Sequence, residues 1–491
     1  MKTTIKMSSN NKDFIIISII GVVLLFFVSP YTSPLNPYYG YDSAVFMIMG
    51  KGILAGKVPY IDLFDHKGAI LYFINAVGFQ ICNGKLGIFL LQCLFWVFSL
   101  ALYYKTAILI SDKKRTFVAL ASYMFLYTAM IYEGDMSEEW SLVFIVLAMY
   151  LAAVRFIKKD SNIHPFLYPF LYGVSFGIIA YIRINNAALI CGVLLAELVW
   201  AIKEKRYRDI CKGIFGFLSG VVVVSIPVWI YFIQNNAVKE FLWGTFGYNI
   251  LYAEKGTDSK SILDIMKLLL NMSSLIFIAV MSIHSLYAKK DLFATLLFFE
   301  AVCGAVVLFM GFGYWHYYLL AMPLMALIYP IIYRYYSGTR WYKGTAVFGL
   351  LLLILPFSYQ FLRDIGKNYM FDFKKYYDAD INSVKDVMKN IPESEYDSIW
   401  GYNIPAHFYM YADVIPCYKY FVLQDFQSES APQIKYEISD MLDSRNTPKW
   451  IIINNTDKMN NEKLNRLLSE KYRYVMKEDS GIQVKVYQRE Y

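Results

Sequence analysis

The chain has 491 residues, of which 57% are hydrophobic and 18% charged. Soluble globules carry about 25% charged residues, so this balance excludes an ordinary water-soluble domain and points to a membrane. The net charge of +8 does not indicate nucleic acid: residues 1–361 hold 29 Lys and Arg against 19 Asp and Glu, whereas 362–491 hold 18 against 20.

That excess lies wholly in the apolar part, where orienting helices in a bilayer accounts for it. Of six cysteines, Cys93, Cys191 and Cys303 sit inside apolar runs and Cys417 stands alone in the tail. Without a CxxC pair they form neither a disulfide framework nor a redox or metal motif.

Residues 1–13 are polar, with Lys2, Lys6 and Lys12, and 14–28 form an unbroken apolar run. No small-x-small cleavage site follows, so the run reads as a retained first span with its basic end in the cytoplasm. Further spans are expected at 86–110, 117–132, 140–156, 166–180, 187–202, 214–233, 266–287, 292–310, 317–333 and 345–361, eleven in all, on the rule that about 20 apolar residues cross a bilayer. The run 70–81 is too short to cross and reads as a re-entrant or interfacial helix. Alternating from an inside N-terminus, the inner segments 111–115, 155–160, 203–212, 288–291 and 334–343 are all rich in Lys and Arg. The outer segments 133–139 and 311–316 contain none, and 234–263 has only three. This is the positive-inside pattern, and an odd number of spans places the tail outside.

After residue 361 the character changes. Segments 397–402, 450–454, 472–476 and 482–487 read as short strands, and 381–390, 431–442 and 461–470 have helical spacing. The expected fold is a polytopic α-helical membrane protein of about eleven transmembrane helices with a C-terminal extracytoplasmic α/β domain. Its parts are a transmembrane catalytic domain over 1–361, with a first outer loop at 30–85, and the α/β domain over 362–491.

The chemistry is expected in the outer loops. Residues 38–76 hold Asp42, Asp62, Asp65, His66 and three lysines between two apolar runs. A second acidic cluster, Glu133, Asp135, Glu138 and Glu139, falls on the same predicted face, although Glu138 and Glu139 also suit a helix N-terminus. Asp42 follows Tyr38-Tyr39-Gly40-Tyr41 and precedes AVFMIMGKGIL, a pattern suited to a helix lying flat in the interface. A carboxylate there can take a proton from a sugar hydroxyl as its oxygen attacks an anomeric carbon. Lys67, Arg183 and Lys57 are the outer-side cations for a departing phosphate. His66 and His316 read as hydrogen-bonding residues rather than metal ligands; a few outer tyrosines, Tyr60 or Tyr317 among them, are able to stack on sugar rings, and the sequence does not pick which. Glu300, midway along an apolar run, is a functional candidate by default or else bonded to a neighbouring helix.

Asp42, then Gly56-Lys57-Val58-Pro59-Tyr60, then Asp65-His66-Lys67-Gly68, resembles the first-loop signature of the GT-C superfamily. More narrowly it resembles bacterial polyprenyl-phosphate-sugar transferases of the aminoarabinose and mannosyl-transferase type, the RgtA/B/C/D-like group. Glu138-Glu139, Arg183-Ile184-Asn185-Asn186 and His316-Tyr317-Tyr318 with Pro323 extend the resemblance over most of 10–330. Many relatives have Pro where this chain has Ala69.

The resemblance implies an inverting glycosyltransferase of the bacterial plasma membrane, acting on its outer face. It implies a polyprenyl-phosphate-linked sugar as donor and a glycan, lipid or protein as acceptor, with membrane lipids as surroundings. It further implies Asp42 as catalytic residue and Lys67, with Arg183, as phosphate-binding residues. Lys57, Tyr60, Asp65, His66, Asp135, Glu138, Glu139, His316 and Tyr317 would be supporting or substrate-binding. The histidine spacing assigns no metal ligands, and the sequence leaves the need for a divalent cation open. The competing readings are a transporter or flippase, a polymerase or ligase of polyprenyl-linked glycans, and a non-catalytic scaffold. Transporters commonly show paired repeats, and no repeat is visible here.

Overall fold

No water reaches backbone groups in hydrocarbon, so apolar runs of this length close their hydrogen bonds as helices. The computed structural model describes residues 4–158, 166–255, 261–289, 291–310, 314–369, 371–444, 447–454, 461–477 and 484–490. Within them six helical stretches are long and apolar enough to cross a membrane: Leu86–Ile110, Ser137–Lys158, Leu167–Lys203, Tyr207–Gln234, Trp315–Tyr336 and Tyr342–Arg363. The pair Ile262–Asn271 and Ser273–Lys289, bent by 59°, makes a seventh if taken as one span. The expected spans 166–180 and 187–202 form one helical stretch broken at Arg183, where the backbone is extended before the 3-10 turn Ile184–Ala187. The segments 155–160, 234–263, 288–291 and 311–316 lie partly outside the described residues, as does the start of the strand expected at 482.

The chain divides into two units. The first comprises Met1–Leu35, Phe89–Ile230 and Thr257–Gly366 and contains the long apolar helices. Its core is aromatic and aliphatic; Tyr103 stacks on Tyr123 at 4.1 Å and Trp96 on Tyr127 at 4.1 Å. Small residues let its helices approach closely, the usual device where no hydrophobic force separates protein from lipid. A Cβ on Gly173 would lie 2.0 Å from the Phe217 carbonyl oxygen, and one on Gly192 would lie 2.9 Å from the Glu300 backbone.

The second unit comprises Asn36–Ile88, Tyr231–Gly256 and Lys367–Tyr491. Its first-loop helices, Asp42–Leu54 and Ala69–Ile81, pack together where Gly50 lies against the backbone of Asn75 and Ala76. The first is not the flat interfacial helix its sequence suggested. Ser43–Gly50 are all buried, because the apolar residues occupy every side and need cover all round.

The C-terminal segment builds a four-stranded sheet in the order β1 (Ile399–Tyr402), β2 (Trp450–Asn454), β4 (Val484–Arg489), β3 (Tyr472–Lys477). The first pair is parallel and the others antiparallel. Trp450-Ile451-Ile452-Ile453 is buried throughout, which suits an unbroken β-branched run to a central strand. The helices Pro432–Asp443 and Glu462–Lys471 bury Ile434, Ile438, Leu464 and Leu467, with each such side chain stabilising by about 1.5–3 kcal/mol.

Candidate functional site

In the second unit, Asp65, His66 and Lys67 form a hydrogen-bonded chain. His66 Nδ1 lies 3.3 Å from Asp65 Oδ1, and its Nε2 is 2.8 Å from Lys67 Nζ. Burial raises the Asp65 pKa, but the His66 hydrogen bond and the charges of His66 and Lys67 outweigh it and hold the carboxyl well below its ordinary value. Tyr72 donates from its hydroxyl to Asp65 Oδ2 and to the Lys67 carbonyl, both at 2.9 Å. Asn249 Nδ2 donates to the His66 carbonyl at 2.7 Å, and the His66 ring stacks on Tyr252 at 4.9 Å. The segment is held at its backbone and its side chains alike.

Tyr60 is completely buried, so it is no platform for a sugar. Its hydroxyl donates to the Lys67 carbonyl at 2.7 Å, and its ring faces Phe232 and Phe241. Its φ of 69° is left-handed, a conformation costing about 1–2 kcal/mol, and a Cβ on Gly244 would come within 2.4 Å of its ring. Asp62 accepts from the Val58 N–H at 2.6 Å and so closes the turn before Lys67. Lys57 is half-buried, and its backbone N–H donates to Gly52.

Asp42 stands apart from this network. It opens the helix Asp42–Leu54, is half-buried, and has no hydrogen-bond or ion-pair partner among the described residues. The peptide before it is gripped on several sides. Lys85 Nζ donates to the carbonyls of Asn36 and Tyr38, the latter at 2.9 Å, and sits over the Tyr39 ring at 5.4 Å. Burial pulls Lys85 down to about 7. Tyr38 donates from its hydroxyl to Asp378 at 2.9 Å.

In the first unit, Glu138 is wholly buried and accepts from Arg183 Nη1 at 2.8 Å and Ser137 Oγ at 3.0 Å. Arg183 Nη2 donates to the Tyr317 hydroxyl at 2.7 Å, with the guanidinium 4.6 Å from that ring. The His316 ring meets those of Tyr317 at 4.7 Å and Tyr132 at 5.4 Å. Glu139 Oε2 accepts from Gln92 Nε2 at 2.8 Å and the Tyr127 hydroxyl at 3.0 Å, and these three residues line a recess with Trp96 and Trp140. Asp135 accepts from Trp140 Nε1 at 2.7 Å. Gly134 and Asp135 have φ of 79° and 63°, and a Cβ on Gly134 would lie 2.4 Å from Ser29 Oγ.

The structure thus joins Tyr60, Asp65, His66 and Lys67 in one network and Glu138, Arg183, His316 and Tyr317 in another. Glu139 and Asp135 are bound separately beside Trp140. Glu300 is buried, and neither of its carboxyl oxygens has a partner among the described residues, so the alternative of a bond to a neighbouring helix is not met among them. Among the described residues, no three of His, Cys, Asp and Glu are grouped to hold a metal ion. Sequence reasoning missed Gln92, Tyr127, Asn249 and Lys85. Only Gln92, a lone amide in the run FLLQCLF, carried a visible signal.

No protein-family model and no curated protein sequence matches this chain. Several solved structures do. ArnT from Cupriavidus metallidurans bound to undecaprenyl phosphate aligns over 97% of this chain and 98% of that one, with a TM-score of 0.61 at 10% identity. The same protein in the apo state gives 0.56 at 10% identity over the same shares. The oligosaccharyltransferase of Archaeoglobus fulgidus in the apo form gives 0.51 at 11% identity, over 89% of this chain and 69% of that one. At these identities the likeness is one of fold.

Proposed function

We propose, from the premise that this chain has the fold of the GT-C glycosyltransferases, that it transfers a sugar from a polyprenyl-phosphate donor to a cell-envelope glycan, lipid or protein. The reaction is an inverting displacement. Asp42 accepts the proton of an acceptor hydroxyl as its oxygen bonds to the anomeric carbon. The bond from that carbon to the phosphate oxygen breaks, and the electron pair leaves with the polyprenyl phosphate. Lys67 and Arg183 stabilise the charge that gathers on the phosphate. Asp65, His66 and Tyr60 hold Lys67, while Glu138 and Tyr317 orient Arg183. The rest of the reading is a multi-pass protein of the bacterial plasma membrane with eleven crossings, a cytoplasmic N-terminus and an extracytoplasmic C-terminal domain.

The observation that supports this most is Asp42 itself: a carboxylate at the head of a buried helix with no partner among the described residues, in a fold shared with a structure holding undecaprenyl phosphate. The test offers the protein in lipid nanodiscs a panel of undecaprenyl-phosphate hexoses and pentoses with envelope extract, and measures release of undecaprenyl phosphate. Asp42→Asn is expected to lower turnover by at least about 10²-fold while expression and membrane insertion stay intact. Wild-type turnover by that variant would remove the assignment of the base. A polymerase or ligase of envelope glycans uses the same donor class and differs in the acceptor, which mass spectrometry of envelope glycans with and without the protein identifies.

A further inference from the structure

Because Asp42 has no hydrogen-bond or ion-pair partner among the described residues, its place is set by the backbone that carries it. That backbone is held from the far end of the chain. The short helix His407–Ala412 packs on the helix Asp42–Leu54. The Tyr39 N–H donates to the Tyr411 hydroxyl at 3.1 Å, and the two rings meet at 5.4 Å. The His407 ring lies edge-on to Tyr41 at 5.0 Å and 76°, and also contacts Tyr411 at 5.7 Å. Beyond the helix, Asp413 takes a left-handed φ of 55° and pairs with Lys51.

His407 is the unusual member. It is only 2% exposed, and neither ring nitrogen has a hydrogen-bond partner among the described residues; the backbone at Gly40 is its polar neighbour. A buried histidine without such partners costs stability, and this one is spent on the two residues that precede the carboxylate. Phenylalanine would fill the same space without that cost.

We infer that His407, together with Tyr411, is a positioning residue for Asp42, so that the C-terminal segment is part of the machinery that sets the base. The inference rests on the proposed role of Asp42. Misplacing a reacting group by about 1 Å costs on the order of 10²-fold in rate, and the contacts at Tyr39, Gly40 and Tyr41 control displacements of that size.

The test uses the full-length protein in nanodiscs and whichever undecaprenyl-phosphate sugar the wild type turns over. His407→Ala is expected to lower kcat by about 10- to 100-fold with the donor KM unchanged, and His407→Phe to restore most of the loss through ring packing alone. Wild-type kcat in His407→Ala, or a loss that His407→Phe does not restore, overturns the inference. Should His407→Ala not accumulate, Tyr411→Phe removes only the oxygen that accepts from Tyr39; a severalfold fall in kcat at constant KM supports the inference and no fall overturns it. Amide hydrogen exchange gives a readout that needs no turnover: the 39–42 amides should exchange faster in His407→Ala, and equal protection overturns the inference. If Asp42→Asn keeps full turnover, the functional reading fails instead, whatever the exchange shows.

Discussion

At the scale of single residues, the most demanding charge is Glu138. It is wholly buried, and Arg183 is its cation. Removing one partner of a buried pair leaves an uncompensated charge and costs about 3–5 kcal/mol, whereas replacing both by matched neutral groups is often harmless. Arg183→Met should therefore lower the thermal stability of the nanodisc-embedded protein strongly, and Arg183→Met with Glu138→Gln should recover most of it. On the proposed role of Arg183, turnover should fall in both, because one of the two cations assigned to the phosphate is gone. Recovery of turnover along with stability would make the pair a packing device only.

His407 makes a second prediction at this scale. Burial holds its pKa at about 4, below the ordinary 6.5, despite the favourable backbone contact at Gly40. As pH falls, the unfolded chain takes the proton first. Stability present above pH 6.5 is then lost progressively between 6.5 and 4, by about 3 kcal/mol. His407→Phe removes that loss, so unfolding temperatures at pH 6.5 and 4.5 should differ less in the variant than in the wild type. Equal differences would contradict the burial of a neutral imidazole.

At the scale of elements, legibility in the sequence followed how local the determining physics is. The strand Trp450–Asn454 was readable residue for residue, because a β-branched run between Pro448 and polar residues has one sensible use. The helix Asp42–Leu54 was readable as a helix, but its burial was not: residues apolar on every side have no period to say what covers them. The helices His407–Ala412 and Gln424–Ser430 left no trace, since six or seven residues of mixed polarity cannot nucleate alone and form only where packing holds them. The candidate site divides in the same way. Asp65-His66-Lys67 is legible because adjacent charges in an oily chain need a reason. The grip of Lys85, Tyr411 and His407 on residues 36–41 is not, because partners so far apart in sequence have no common pattern.

At the scale of the molecule, the second unit is assembled from three stretches that are separate along the chain. Phe64 shows the interleaving: its N–H donates to the Lys419 carbonyl at 2.9 Å, and its ring packs on Trp243 and Tyr420. Cutting the chain after Gly366 should therefore abolish transfer and expose the first loop, with protease cleavage appearing between residues 36 and 68 in the truncated protein. A truncated chain with a protected first loop and normal turnover would show that the C-terminal segment is an appendage.

The bond between Tyr39 and Tyr411 spans 372 positions. A ribosome making this polypeptide completes every long apolar helix of the described residues before it reaches Tyr411. Copies interrupted before residue 407 therefore carry the apolar helices without the contacts that hold residues 39–41, and on the proposed role of Asp42 its carboxylate is then left out of place.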